Sequence, residues 1–133
     1  MASLDDPGVA RLLADRNHAV LSTLNSDGSI HSTVVWVDTI DGKVAVNSAV
    51  GRKWPTNLES NPTVNVTVYD EKNPYDYVEV RGTAAGTLDG AEEHIDRLAK
   101  KYMDVDSYPL RTPEEKRITF VVDPTLVRHQ KQG

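Results

Sequence analysis

Cysteine is absent from all 133 residues. That excludes disulfides, thiol nucleophiles and thiolate metal sites, and it fits a cytoplasmic protein. Long hydrophobic runs are missing as well. No stretch approaches the length that spans a bilayer and no signal-peptide pattern opens the chain, so no membrane association is expected. Positive charge is in deficit: 15 Lys and Arg against 20 Asp and Glu leave a net charge of −5. Without a broad cationic face to displace counterions, a general nucleic-acid partner is not expected either. Two kinds of motif are also missing, the Gly-x-Ser-x-Gly nucleophile elbow and the Gly-rich loops of mononucleotide and dinucleotide folds. The four histidines, His18, His31, His94 and His129, lie far apart and lack carboxylates at ligand spacing, so no metal centre is expected.

What is present is an ordinary globular composition, 38% apolar and 26% charged. The length suits one domain over residues 1–133, and no repeat, linker or low-complexity run divides it. A helix opens the chain, with Asp5 or Asp6 to cap it, Pro7 in its first turn and a stripe of Val9, Leu12 and Leu13. Strand signals follow at His18 to Leu24, Ile30 to Val37 and Lys43 to Ser48, joined by the turn formers Asp27-Gly28 and Asp41-Gly42. In the second of these, Ile30, Val34 and Trp36 fall on one face and His31, Thr33 and Val35 on the other. Connections this short cannot make parallel crossovers, so the sheet is antiparallel.

A short helix is predicted over Pro55 to Ser60, then a strand over Thr63 to Tyr69 that sets Val64, Val66 and Val68 on one face. A long strand runs from Tyr75 to about Thr87, where Gly82 and Gly86 mark bulges or bends. Ala91 to Met103 has the clearest helical pattern, with Ile95, Leu98, Ala99 and Tyr102 on one face. Glu92 and Glu93 complement its positive end and Lys100 and Lys101 its negative end. On this pattern His94 reads as solvated. Arg117 to Val122 and Leu126 to His129 supply the last strand or strands. About six antiparallel strands with few helices favour a small closed barrel, which hides its edges and fills its interior with side chains. A ligand then sits outside the barrel or between subunits.

The stretch Asn47-Ser48-Ala49-Val50-Gly51-Arg52-Lys53-Trp54-Pro55-Thr56-Asn57-Leu58 carries the one hint of a ligand class. A strand turns at Gly51, presents Arg52 and Lys53, and enters a helix at Pro55. Helix-start amides beside an Arg fork and a Lys charge suit a bound phosphate, and the same residues suit a solvated basic turn equally well. Trp54 can pack over such a site, whereas Trp36 reads as core or interface. His31 is explained as well by an exposed strand face as by approach to a ligand. Tyr75 and Tyr77 could wall a flat ring, with cross-strand packing the plainer explanation.

In order along the chain, these pieces resemble the pyridoxamine 5′-phosphate oxidase-like split β-barrel superfamily, especially its short actinobacterial branch of flavin and deazaflavin oxidoreductases. The likeness runs through the first helix, His18 to Leu24, the Asp27-Gly28 turn and His31-Ser32-Thr33-Val34-Val35-Trp36-Val37. It continues with Ser48 through Arg52-Lys53, Asn57-Leu58, Asn61-Pro62 and the valine strand. It closes on Tyr77-Val78-Glu79-Val80-Arg81-Gly82-Thr83-Ala84.

The resemblance implies a mainly β fold, a six-stranded antiparallel split β-barrel of the FMN-binding type with flanking helices. It implies a homodimer with a flavin-type cofactor in a groove at the subunit interface. By this likeness Arg52 and Lys53 bind the cofactor phosphate, Ser48 and Asn57 shape that site, Ser32, Thr33 and Val34 run beside the ring, and Tyr75 and Tyr77 contribute from either subunit. The short branch is associated with coenzyme F420, while near relatives hold FMN or bind haem. The expected activity is transfer of a hydride from reduced deazaflavin C5 to an electrophilic carbon of a small organic substrate, the cofactor carrying the hard chemistry. No catalytic side chain is assigned, and solvent can serve as proton donor. FMN-dependent oxidoreduction in the same fold and a non-enzymatic flavin or deazaflavin carrier are the alternatives. Vitamin-oxidising members carry a longer C-terminus with substrate-binding Arg and His; the ending Arg128-His129-Gln130-Lys131-Gln132 before Gly133 does not lead us to expect pyridoxine phosphate chemistry.

Overall fold

Alternation along the valine strand has the expected result: Val64, Val66 and Val68 are all buried. The computed structural model describes residues 1–132. Among these, three helices and seven strands follow in the order α1 (Pro7–Ala14), β1 (Ala19–Leu24), β2 (Ile30–Val35), β3 (Asp38–Ile40), β4 (Lys43–Ala49), α2 (Lys53–Ser60), β5 (Thr63–Asp70), β6 (Asn73–Thr87), α3 (Ala91–Met103) and β7 (Arg117–Gln130). The strands form one antiparallel sheet in the order β2-β1-β5-β6-β7-β4-β3. No helix among the described residues is long and apolar enough to cross a membrane.

Two expectations need correction. The sheet has seven strands, not six, because the run expected from Ile30 to Val37 breaks at Trp36 and resumes as β3. Nor is hydrogen-bonded closure of a barrel found: β2 and β3 are the sheet's two edges, and no ladder joins them among the described residues. The chain itself crosses from one edge to the other through Trp36 and Val37. Side chains from the last turn of α3 satisfy the backbone at this seam. Lys101 Nζ donates to the Val37 carbonyl at 2.6 Å and to the Leu13 carbonyl at 2.7 Å. The Tyr102 hydroxyl accepts the Val37 N–H at 3.2 Å and donates to the Asn17 carbonyl. A buried, unpaired peptide group would cost about 1–3 kcal/mol, so these bonds substitute for the missing ladder.

Inside the curl, Val9, Leu12 and Leu13 of α1 pack with Leu21, Val46, Val66, Val80, Phe120 and Val122. Emptying a site such as that of Leu12 costs about 2–5 kcal/mol. Asp6 does sit at the start of α1, but its carboxylate takes the Ser3 N–H at 3.0 Å instead of capping a helix amide. On the long β6–β7 ladder the register shifts between Arg81 and Gly82, opposite Pro124. A Cβ at Gly82 would stand 2.1 Å from the Asp123 carbonyl oxygen, so only glycine fits this bulge.

His94 is not the solvated residue that the helical pattern predicts. It is 2% exposed. Its Nε2 lies 2.8 Å from Asp38 Oδ1 and its Nδ1 2.8 Å from Thr119 Oγ1. Burial alone would raise the Asp38 carboxyl, yet the hydrogen bonds and charges of His94 and Arg97 outweigh it and hold the carboxyl below the usual range. The sequence pattern could not show this, because Asp38 and Thr119 reach His94 only through the tertiary fold.

Candidate active site

Gly51 has φ of +94°, which a side chain would strain, and it turns the chain out of β4 so that Arg52 precedes the first residue of α2. The helix begins at Lys53, two residues before the expected start, and keeps Pro55 in its first turn. No side chain caps it, which leaves its leading amides available to an anion. This turn opens on a cavity of about 690 Å³, within the span of about 300–1,000 Å³ usual for small-molecule sites.

Of the residues proposed for the site, Thr33 and Val34 from β2, Ser48 from β4, and Arg52 and Lys53 line this cavity together. Ser32, Asn57, Tyr75 and Tyr77 are not brought into it. Ser32 shares the exposed face of β2 with Val34, but its hydroxyl is taken up by the cross-strand pair with Ser22 at 2.8 Å. Asn57 is buried, and its Nδ2 donates to Thr23 Oγ1 and Asn25 Oδ1, each at 3.0 Å, which ties α2 to β1. Tyr77 stands in register between Tyr69 and Gln130, and Tyr75 flanks the same strand end, much exposed. Trp54 also reaches the cavity, but most of it is buried against Phe120, 5.6 Å away between centroids.

The residues that sequence reasoning passes over are the ones that join the cavity's two kinds of wall. Ring centroids of His18 and Tyr102 are 5.7 Å apart, and those of Tyr102 and Trp36 are 5.3 Å apart in a parallel stack. Trp36 meets the edge of Tyr108 at 6.2 Å. Tyr108 in turn lies 5.2 Å from the Arg117 guanidinium. Arg117 Nη1 donates to Glu115 Oε2 at 3.1 Å, and Glu115 Oε1 accepts from Arg52 Nη2. An unbroken line of contacts thus runs from an imidazole and three aromatic rings to two guanidiniums. His18, Trp36, Tyr108, Arg117 and Arg52 from this line all face the cavity, with Ile95 and Leu98 of α3 adding apolar surface.

Supporting contacts hold these groups in place. Tyr108 N–H donates to Asp96 at 2.9 Å, and Arg111 binds Asp96 at 2.9 Å and Glu92 at 3.0 Å, which fastens the segment 104–116 to α3. Glu71 accepts from the His18 backbone N–H at 3.0 Å and pairs with its ring, and these bonds hold the carboxyl below the usual range. Burial pushes the Tyr102 phenol up to about 12, so its hydroxyl stays protonated at neutral pH.

The sequence matches the family model for pyridoxamine 5′-phosphate oxidase over residues 6–131. The chain belongs to the pyridoxamine 5′-phosphate oxidase family. Its members include oxidoreductases that use flavin or deazaflavin. Among solved structures, an F420 reductase is similar at 28% identity, with 89% of this chain and 94% of that one covered and a TM-score of 0.75. General stress protein 26 of Bacillus anthracis shares the fold at 24% identity, 92% and 91% coverage and a TM-score of 0.68. A conserved hypothetical protein of Mycobacterium tuberculosis shares it at 20% identity, 96% and 84% coverage and a TM-score of 0.76. Comparison with curated proteins finds no match. The family binds flavin or F420, and the donor set here fits such a group. Guanidinium, ammonium and free helix amides match a phosphate, and Val34, Trp36, Tyr108 and Leu98 match a flat apolar ring.

Proposed function

We propose that this protein is an F420-dependent oxidoreductase that acts as a homodimer on a small organic substrate. The observation that carries this reading is the single cavity in which the Arg52-Lys53 turn and the Trp36 wall are joined by the Tyr108–Arg117–Glu115 contacts. The F420 reductase, similar over 89% of the chain, supports the choice of cofactor. When bound, reduced F420 supplies the hydride that the substrate accepts.

The protein's own part is binding, orientation and exclusion of water. Arg52, Lys53 and the first amides of α2 hold the phosphate. Thr33 and Val34 border the ring. Trp36, fixed by Tyr102 behind it and Tyr108 beside it, offers an aromatic surface against which a flat substrate stacks. His18, paired with Glu71, and His31 add imidazoles to the cavity's lining.

The homodimer reading rests on exposed apolar surface at the cavity's rim. Val34 lines the cavity yet is 62% exposed, and Ile30 beside it on β2 is 71% exposed. A second subunit covering this edge strand would bury both and add a wall to the groove, with Tyr75 or Tyr77 contributing to it.

Turnover tests the reading. The protein with reduced F420 and a panel of enones should oxidise the cofactor in proportion to substrate. Light scattering at micromolar concentration should give twice the chain mass. A monomer that binds F420 at full affinity would remove the shared-groove arrangement, and inertness toward every acceptor with F420 bound would leave a carrier.

A further inference from the structure

Arg117 is an unusual member of a cavity wall. It is a cation only 4% exposed, placed at the first residue of β7, and a buried guanidinium is tolerated only when paired. Its Nε donates to Asn47 Oδ1 at 3.0 Å and its Nη1 to Glu115 Oε2 at 3.1 Å. Nη2 has no hydrogen-bond partner among the described residues, and Arg117 lines the same cavity as Arg52 and Lys53.

Glu115 completes the picture. Its carboxylate spans two guanidiniums, one oxygen toward Arg117 and the other toward Arg52. Bridging two Arg forks is the task that a phosphate or carboxylate of a ligand performs in an anion site. Glu115 belongs to the segment 104–116, whose Tyr108 and Leu110 face the cavity, and both arginines that it bridges line that cavity. The Arg52 end of the bridge is loose, since that side chain is half exposed and its pairing is screened by water. The Arg117 end is not, because removal of Glu115 with nothing in its place would leave a buried charge uncompensated.

We propose that Arg52 and Arg117 together form the anion site of this cavity, with Glu115 as its resident counter-ion, which a phosphate-bearing ligand displaces. The proposal deepens the cofactor reading above and rests on it for the identity of the ligand. Before binding, Glu115 keeps Arg117 paired and the two guanidiniums apart from solvent anions. An arriving phosphate brings more negative charge than one carboxylate and takes over both forks, with Lys53 adding a third cation. Glu115 swings toward water, where its charge is cheap. The site is therefore never empty of negative charge, and its affinity is set by a competition within the chain.

This predicts effects of opposite sign on stability and affinity, which a purely structural Glu115 would not give. Calorimetric titrations at low salt compare wild type, Glu115→Gln and Arg117→Lys with F420, FMN, riboflavin and pyrophosphate. Riboflavin is FMN without its phosphate, and pyrophosphate probes the anion site without a ring. Glu115→Gln should melt at a lower temperature without ligand, yet bind the phosphate-bearing cofactor roughly tenfold tighter, with riboflavin unchanged. Arg117→Lys, which keeps the charge and loses the fork, should weaken the same cofactor by roughly tenfold and leave riboflavin alone. Unchanged or weaker binding of phosphate-bearing ligands by Glu115→Gln overturns the proposal, as does an equal shift for riboflavin. If neither cofactor binds the wild type, the cofactor reading fails and pyrophosphate alone decides. Tighter binding by Glu115→Gln then supports the two-arginine site, and equal or absent binding overturns it.

Discussion

The indole of Trp36 and the phenol ring of Tyr102 lie parallel, 3° apart in plane and 5.3 Å between centroids. One of them faces the cavity and the other, through its hydroxyl, closes the seam between the sheet's two edges. The aromatic wall and the integrity of the fold therefore meet in a single pair of rings, and the consequences separate by substitution.

Tyr102→Phe keeps the stack and removes the hydroxyl, leaving the Asn17 carbonyl and the Val37 N–H without their partner. Urea unfolding at neutral pH should show a loss of about 1–3 kcal/mol, the range for an orphaned buried group. Cofactor affinity should stay near wild type, since Trp36 keeps its backing ring. A large loss of affinity with unchanged stability would show that the hydroxyl acts on the ligand and not on the seam.

Lys101 gives the seam a pH signature. Burial lowers its ammonium to about 8, against 10.5 for a free lysine. Between these values the unfolded chain holds a proton that the folded chain has released, so this residue makes stability rise with pH from about 8 to 10.5. Neutral Lys101 still has two N–H groups for the Leu13 and Val37 carbonyls. Unfolding free energies of wild type and Lys101→Met, measured across this range, should diverge in favour of wild type as pH rises. Parallel curves would contradict the assignment.

Arg52→Ala combined with Lys53→Ala should weaken cofactor binding by about 2–4 kcal/mol, since charge-assisted hydrogen bonds contribute about 1.5–3 each and do not add simply. Stability should move far less, because Arg52 is 51% exposed and exposed ion pairs are worth about 0–1 kcal/mol. Calorimetry against both F420 and FMN checks this, and unchanged affinity for both would remove the Arg52-Lys53 turn from the site.

Where structure follows from local pattern, the sequence is legible. The valine alternation, the Asp27-Gly28 turn, the Gly82 bulge and the extent of α3 are all read from neighbours in the chain. The Arg52-Lys53 turn is legible for the same reason, as strand, glycine and helix start fall within ten residues of one another. Arg117, Glu115, Tyr108 and Trp36 are not legible, because their roles arise from contacts across the fold. The reach of Lys101 to Leu13 crosses 88 residues, and no periodicity encodes it. Asn57 shows the converse. The family likeness gives it a part in shaping the phosphate site, and only the fold shows that its amide donates to Thr23 and Asn25 of an earlier strand and turn. His94 fails likewise, since a helical pattern alone cannot reveal that Asp38 and Thr119 stand waiting for it.

Titration of the purified protein with F420 and with FMN across a range of salt concentration decides the identity of the cofactor. At low ionic strength F420 should bind more tightly than FMN, because its anionic tail adds charge for the cationic wall, and its affinity should fall as salt rises. A protein that purifies yellow with tightly held FMN and does not respond to F420 would be an FMN protein, and F420 would not be its cofactor.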